Sequence, residues 1–103
     1  MALIINTDGT EREVSGTDKG KKFGLQQMYT LLDCEMVQLV NISLEYNGVK
    51  YNELWCDEDG KMKARPINAK ATRLVRDQLF VGDMLVGPIL FVRTRKNKET
   101  GSR

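Results

Sequence analysis

Residues 55–74 read WCDEDGKMKARPINAKATRL, and this stretch decides the fold. It predicts strand, tight turn, strand and helix in succession. Asp57-Glu58-Asp59-Gly60 is a turn signal: acidic residues tolerate turn geometry, and Gly60 accepts φ > 0 without a Cβ clash. Lys61, Lys63 and Arg65 then alternate with Met62 and Ala64, which is the period of a strand. Pro66 ends that strand, and Asn68 caps a helix running from about Ala69 to Leu79. Ala71, Leu74, Val75 and Gln78 lie along one side of that helix, with Lys70, Arg73 and Asp77 nearer the other.

Upstream, Glu35 to Tyr46 and Val49 to Asp57 read as two strands joined at Asn47-Gly48. Asn-Gly suits a two-residue type I′ turn, which needs φ > 0 at both positions. Pairing Tyr46 with Val49 sets Leu44 opposite Tyr51, Ile42 opposite Glu53 and Val40 opposite Trp55. Val40, Ile42, Leu44, Tyr46, Val49, Tyr51 and Trp55 then share one face, and a slip of one residue would scatter them. The same register puts Cys56 beside Leu39. That leaves Cys34 five residues away along the strand, too far for a bridge that needs Cα atoms within ~7 Å.

Further out, Ala2 to Asn6 is a short apolar strand, turned by Thr7-Asp8-Gly9 into a returning edge strand over Thr10 to Val14. Ser15 to Lys22 is a polar loop. Phe23 to Leu32 is helical, with Leu25, Met28, Tyr29 and Leu32 at i, i+3, i+4 and i+7 on one apolar stripe. After the second helix, Gly82-Asp83 is a turn. Met84 to Val86 and Ile89 to Arg93 are apolar strands on either side of Gly87-Pro88. The expected fold is α+β: a largely antiparallel sheet of five to seven strands with two α-helices packed on it. Residues 1–93 form one domain and 94–103 a flexible basic tail.

Composition narrows the chemistry. With 103 residues, 41% hydrophobic and 29% charged, the chain has the make-up of an ordinary globular domain. Sixteen basic residues against fourteen acidic give a net charge of +2. That is too near balance to argue for nucleic acid without clustering. There is no histidine, which removes the usual general base, the Ser-His-Asp and Cys-His arrangements, and the commonest metal ligand. Two cysteines without histidine do not make a tetrahedral zinc site unless carboxylates fill in, and both read as free thiols of a reducing compartment. Asp57 to Gly60 resembles part of a calcium loop, but the twelfth position, where a bidentate Glu is required, holds Asn68. No apolar run approaches the ~20 residues of a membrane span, and the N-terminus lacks the basic region of a secretory signal. A cytoplasmic protein without metal or cofactor is expected.

In order and spacing, several segments resemble a known family. They are Leu3-Ile4-Ile5, the helix end Tyr29-Thr30-Leu31-Leu32, and Glu35 with Val37 to Val40. Asp57-Glu58-Asp59-Gly60-Lys61 and Pro66-Ile67-Asn68 with Ala71-Thr72 follow, and Gly82-Asp83-Met84-Leu85-Val86-Gly87 closes the series. This chain resembles the DUF3846 family, a small domain of unknown function found in bacteriophages and mobile elements. It departs from that pattern in carrying Asp33-Cys34 where a Gly-Gly turn is usual, and in a longer Ser43 to Lys50 region. The resemblance implies a cytoplasmic protein encoded by a virus or mobile element, and it implies no catalytic residues.

The candidate site is a basic corner. Lys61, Lys63 and Arg65 on one strand face, with Lys70 and Arg73 on the next helix, would set cations beside the Asn68-capped helix start. There, unpaired N–H groups favour an anion. The function expected is non-catalytic: binding of a host defence protein, or sequestration of a small phosphorylated or nucleotide signal. The alternative is a nucleic-acid-binding accessory protein that uses the same corner with tail residues Arg93, Arg95, Lys96, Lys98 and Arg103. The edge strands suit a homo-oligomer, and no membrane partner is expected.

Overall fold

The computed structural model describes residues 2–16 and 23–94. In chain order the elements are β1 (Ala2–Ile5), β2 (Glu11–Val14), α1 (Leu25–Leu32), β3 (Val37–Tyr46) and β4 (Val49–Asp57), then α2 (Ala69–Leu74), one 3₁₀ turn (Arg76–Gln78) and β5 (Ile89–Val92). The strands form one five-stranded sheet in the order β2-β1-β5-β4-β3, and every pairing is antiparallel. This is the expected α+β class. The loop expected over Ser15 to Lys22 falls mostly outside the described residues, and the tail beyond Thr94 falls wholly outside them.

The Asn-Gly hairpin forms as its chemistry requires, with φ of 53° at Asn47 and 80° at Gly48. Tyr46 faces Val49 and Leu44 faces Tyr51. Beyond that point the expected register fails. Between Asn41 and Leu44 the chain takes three steps along β3 against two along β4, because a bulge holds one extra residue. Val40 therefore faces Leu54, Asn41 faces Glu53, Leu39 faces Trp55, and Cys56 lies beside Gln38. Val40, Ile42, Leu44, Tyr46, Val49 and Tyr51 still gather in one core cluster, and Leu54 joins them in place of Trp55. Trp55 turns to the other face of the sheet and packs with Ala2, Ile4, Met28, Leu32 and Leu90. The first cluster is closed by Ala71 and Val75 of the α2 region, the second by α1. Along the stripe expected on α1, Met28 and Leu32 are buried but Leu25 is exposed.

Three further expectations are corrected. Lys61 to Arg65 is not a strand. Residues 58–64 fold into consecutive turns, with Lys63 N–H donating to Asp59 O at 3.0 Å and Arg65 N–H to Gly60 O at 3.0 Å. Strand alternation is stabilised by burying one face, and here the apolar member, Met62, is 87% exposed. The left-handed residue of this segment is Ala64 (φ 56°) rather than Gly60. The second helix is shorter than its pattern, giving way at Val75 to the 3₁₀ turn. Met84 to Val86 makes only an isolated bridge, Val86 with Ile67.

Two polar contacts fix the ends of the sheet. The sheet curls so that its two edge strands meet at one end, where the Tyr46 hydroxyl on β3 donates to the Glu11 carboxylate on β2. Asn68 is completely buried. Its Oδ1 accepts from Ala71 N–H at 3.1 Å, which is the predicted helix cap, and its Nδ2 donates to Ile5 O at 2.8 Å and Gly87 O at 2.9 Å. One amide thus joins β1, α2 and the loop before β5.

Replacing Asn68 separates the cap from the bridge. Asn68→Ala loses a cap worth about 1 kcal/mol and strands two buried carbonyls at about 1–3 kcal/mol each, so a loss of about 3–7 kcal/mol is expected in urea unfolding. Asn68→Asp keeps the capping oxygen but turns both donations into repulsion, and should be at least as damaging. A silent Asp variant would mean that the cap alone matters.

Candidate functional site

The cations singled out from sequence come from three places, and most of them are occupied. Lys61 reaches across to the Asp83 carboxylate. Lys63 and Arg65 converge on Asp57, with Nζ at 3.0 Å and Nε at 2.7 Å from the same carboxylate oxygen. Lys70 pairs with Glu11 at the curled end of the sheet and also donates to Gly9 O at 3.3 Å. Asn68 caps α2, but its amide is used up inside the core. Arg73 is exposed and has no acidic partner among the described residues. The structure therefore brings Lys63 and Arg65 together and sends Lys61 and Lys70 to separate carboxylates.

Asp57 holds this region in shape. Its side chain is 1% exposed. Besides the two cations it accepts the Asp59 N–H at 2.9 Å, within the turn expected over Asp57 to Gly60. Burial opposes its ionisation. The Lys63 bond, the Asp59 N–H and the charges of Lys63 and Arg65 outweigh burial and hold its pKa below the ordinary 3.8. The Arg65 side chain runs over Gly87, where an added Cβ would sit 2.8 Å from Arg65 Cδ, and its guanidinium donates to the Asp33 carbonyl. On the other side, a Cβ on Gly60 would sit 2.8 Å from Val86 Cγ2. Gly60 is thus needed for close approach, not for a left-handed turn.

Beside this knot lies a cavity of about 350 Å³. Val40, Leu54 and Cys56 form its floor on the sheet, and Leu79, Phe80, Met84 and Leu85 form the opposing wall. The charged residues lining it are Asp57, Glu58, Asp83 and Lys61. Besides the bonds of Leu85 to Asn68 N–H and Thr72 Oγ1, two side-chain contacts hold the wall segment in place. At one end is the Lys61–Asp83 pair. At the other, Gln78 Oε1 accepts from Ser43 N–H at 2.8 Å, and Gln78 Nε2 donates to Ser43 O at 2.7 Å. Between them, Phe80 is 88% exposed and Val81 fully exposed.

Several exposed apolar residues line this cavity or adjoin its lining residues. Phe80, Val81 and Met84 belong to the wall, Met62 follows Lys61, and Ile67 bridges Val86. Met36 accepts from Glu58 N–H through its carbonyl. These are six of the eight large exposed hydrophobic residues among those described, and Leu39 and Leu25 complete the set. Sequence reasoning passed over the wall because Phe80 and Val81 fall between a helix end and a turn. An apolar pair in such a place was the available signal.

The thiols offer no ready nucleophile. Burial, with the Asp57 charge second, pushes Cys56 up to about 11, and burial also raises Cys34. Both are free, and they lie in different core clusters. Among the described residues, no group of three or more His, Cys, Asp or Glu side chains could hold a metal ion. No described helix is long and apolar enough to cross a membrane.

Residues 1–102 match the family model of a domain of unknown function, DUF3846. The chain belongs to that family. No curated protein and no solved structure matches it. The description of the DUF3846 family names no activity.

The Asp57 knot makes the domain acid-sensitive in a defined direction. Because the folded carboxyl titrates below its unfolded value of 3.8, its contribution is complete above that pH. It is lost as pH falls through the lower folded value. Asp57→Asn should cost about 2–3 kcal/mol at neutral pH, less than for a wholly buried pair because Lys63 and Arg65 stay partly open to water. Its stability should also fall less steeply than that of the wild type on the acid side of pH 3.8. Urea midpoints of both proteins measured down that range check both points.

Proposed function

We propose that this domain acts by binding another protein, and that the apolar rim around the cavity is the contact surface. The supporting observation is that exposed Phe80 and Met84 line the cavity, while exposed Val81, Met62, Ile67 and Met36 adjoin lining residues along the chain or through a backbone contact. Soluble monomers rarely leave such patches uncovered, and methionine adapts its shape to a partner surface. Phe80 and Val81 project furthest, so they would anchor the contact. In the setting that the family resemblance implies, the partner is a host protein and the domain is a cytoplasmic accessory factor of a phage or mobile element.

Sequestration of a phosphorylated signal draws less support. The cations that would bind phosphate already hold Asp83, Asp57 and Glu11. Releasing each would break an existing ion pair. The nucleic-acid alternative rests on Arg73 and Arg76, which are exposed and lack acidic partners among the described residues. Its binding would weaken log-linearly with salt.

The two readings part under substitution. Phe80→Asp with Val81→Asp alters only exposed side chains, so folding should persist while the partner recovered by affinity capture from host cells falls at least tenfold. Arg73→Glu with Arg76→Glu should leave that recovery intact. Unchanged recovery with the Phe80/Val81 variant, or salt-sensitive retention of nucleic acid that Arg73→Glu abolishes, would overturn the protein-binding reading.

A further inference from the structure

The two edges of the sheet are built differently. In β2, three of four residues are charged (Glu11, Arg12, Glu13), the usual protection against strand addition. In β3, only Glu45 among ten residues is charged, and there is no proline. Two devices interrupt that edge, the bulge between Asn41 and Leu44 and, within it, Gln78. Its amide bonds both N–H and C=O of Ser43, as a peptide group of a neighbouring strand would. Among the described residues no other side chain bonds the β3 backbone. The stretch from Val37 to Asn41 therefore presents an open edge, and Gln38 and Val40 of that stretch line the cavity.

We infer that β3 accepts an extended segment of the partner as a sixth strand along Val37 to Asn41. Alternate side chains of the segment enter the cavity between Val40 and the Phe80–Met84 wall. This rests on the protein-binding reading above and names the partner's form. Main-chain hydrogen bonds to an edge give affinity, and a pocket for alternate side chains gives specificity. The Gln78 clamp sets the limit of the added strand at Ser43.

Charge identifies the occupant as apolar and basic. Asp57, Glu58 and Asp83 line the cavity against Lys61 alone. Asp57 and Asp83 are held by cations, while Glu58 and the nearby Glu35 have no ion-pair partner among the described residues. Glu45, near the far end of the strand, faces Lys50 across the hairpin. A second copy fits this edge less well: it would bring its own unpaired Glu35 and Glu58 to the same edge, where gathered like charges are destabilising and a basic segment would neutralise them. A strand that alternates apolar residues with lysine or arginine meets the cavity with one set and the side of Glu35 with the other, while a basic residue at the end of the cavity-facing set meets Glu58.

The test is selection of random short peptides displayed against the full chain, followed by amide hydrogen exchange of the complex with the best binder. Enriched peptides should alternate apolar and basic residues. Binding should slow exchange at least tenfold at amides within Val37 to Asn41, and N-methylation of alternate peptide residues should weaken binding at least tenfold. Glu58→Lys, an exposed change, should weaken it severalfold. Enrichment of acidic or helical peptides, no enrichment, or protection confined to the Phe80 segment would overturn strand addition. Loss of the cellular partner in the Phe80/Val81 variant would still stand, so failure here is distinguishable from failure of the broader reading. A concentration-dependent dimer that protects the same amides without peptide would assign the edge to a second copy, and would also overturn the proposal.

Discussion

A carboxylate almost sealed from water must be answered by charge or by N–H groups, and Asp57 meets that demand at the end of β4. Lys63, Arg65 and the Asp59 amide answer it. Their convergence bends residues 58–64 into turns instead of letting them run on as a strand. Because Arg65 is held there, its side chain lies across Gly87 and its guanidinium reaches the carbonyl that ends α1. One buried charge thereby sets how the β4 end, the loop before β5 and the first helix meet.

Asn68 does neutral work of the same kind a few residues later. Its amide satisfies groups from β1, α2 and the Gly87 loop at once, where an apolar side chain would leave all three unpaired. With Asp57 and Asn68 in place, the chain from Leu79 to Leu85 is held near its ends, by Gln78 on one side and by the Asp83–Lys61 pair and the bonds of Leu85 to Asn68 N–H and Thr72 Oγ1 on the other. The cavity is the space left beneath that segment. Its position follows from two polar anchors, while its lining follows from the bulge in β3 that turns Leu54 inward and Trp55 away.

The same accounting bears on function. Cations already engaged by buried or neighbouring acids have little left for a phosphate, whereas apolar side chains at 87% exposure or more at Met62, Phe80 and Val81 have no such engagement. The apolar rim, rather than the basic corner, is therefore the surface whose side chains stay unengaged among the described residues. It adjoins the strand edge, where backbone groups and cavity stand side by side.

What the amino-acid sequence determined was whatever depends on neighbours in the chain. The Asn47-Gly48 hairpin, the Asn68 cap, the Asp57 to Gly60 turn, the apolar stripe at Met28 and Leu32, and the α+β class all follow from local geometry and short periods. Tertiary structure alone decided where the lysines and arginines point, because an ion pair joins residues such as Lys61 and Asp83, or Lys70 and Glu11, that share no sequence pattern. It alone decided the face of Trp55, since the extra residue in β3 shifts the pairing so that β4 turns Leu54 instead of Trp55 to the first core cluster, and the alternation on either side of the bulge reads equally well without it.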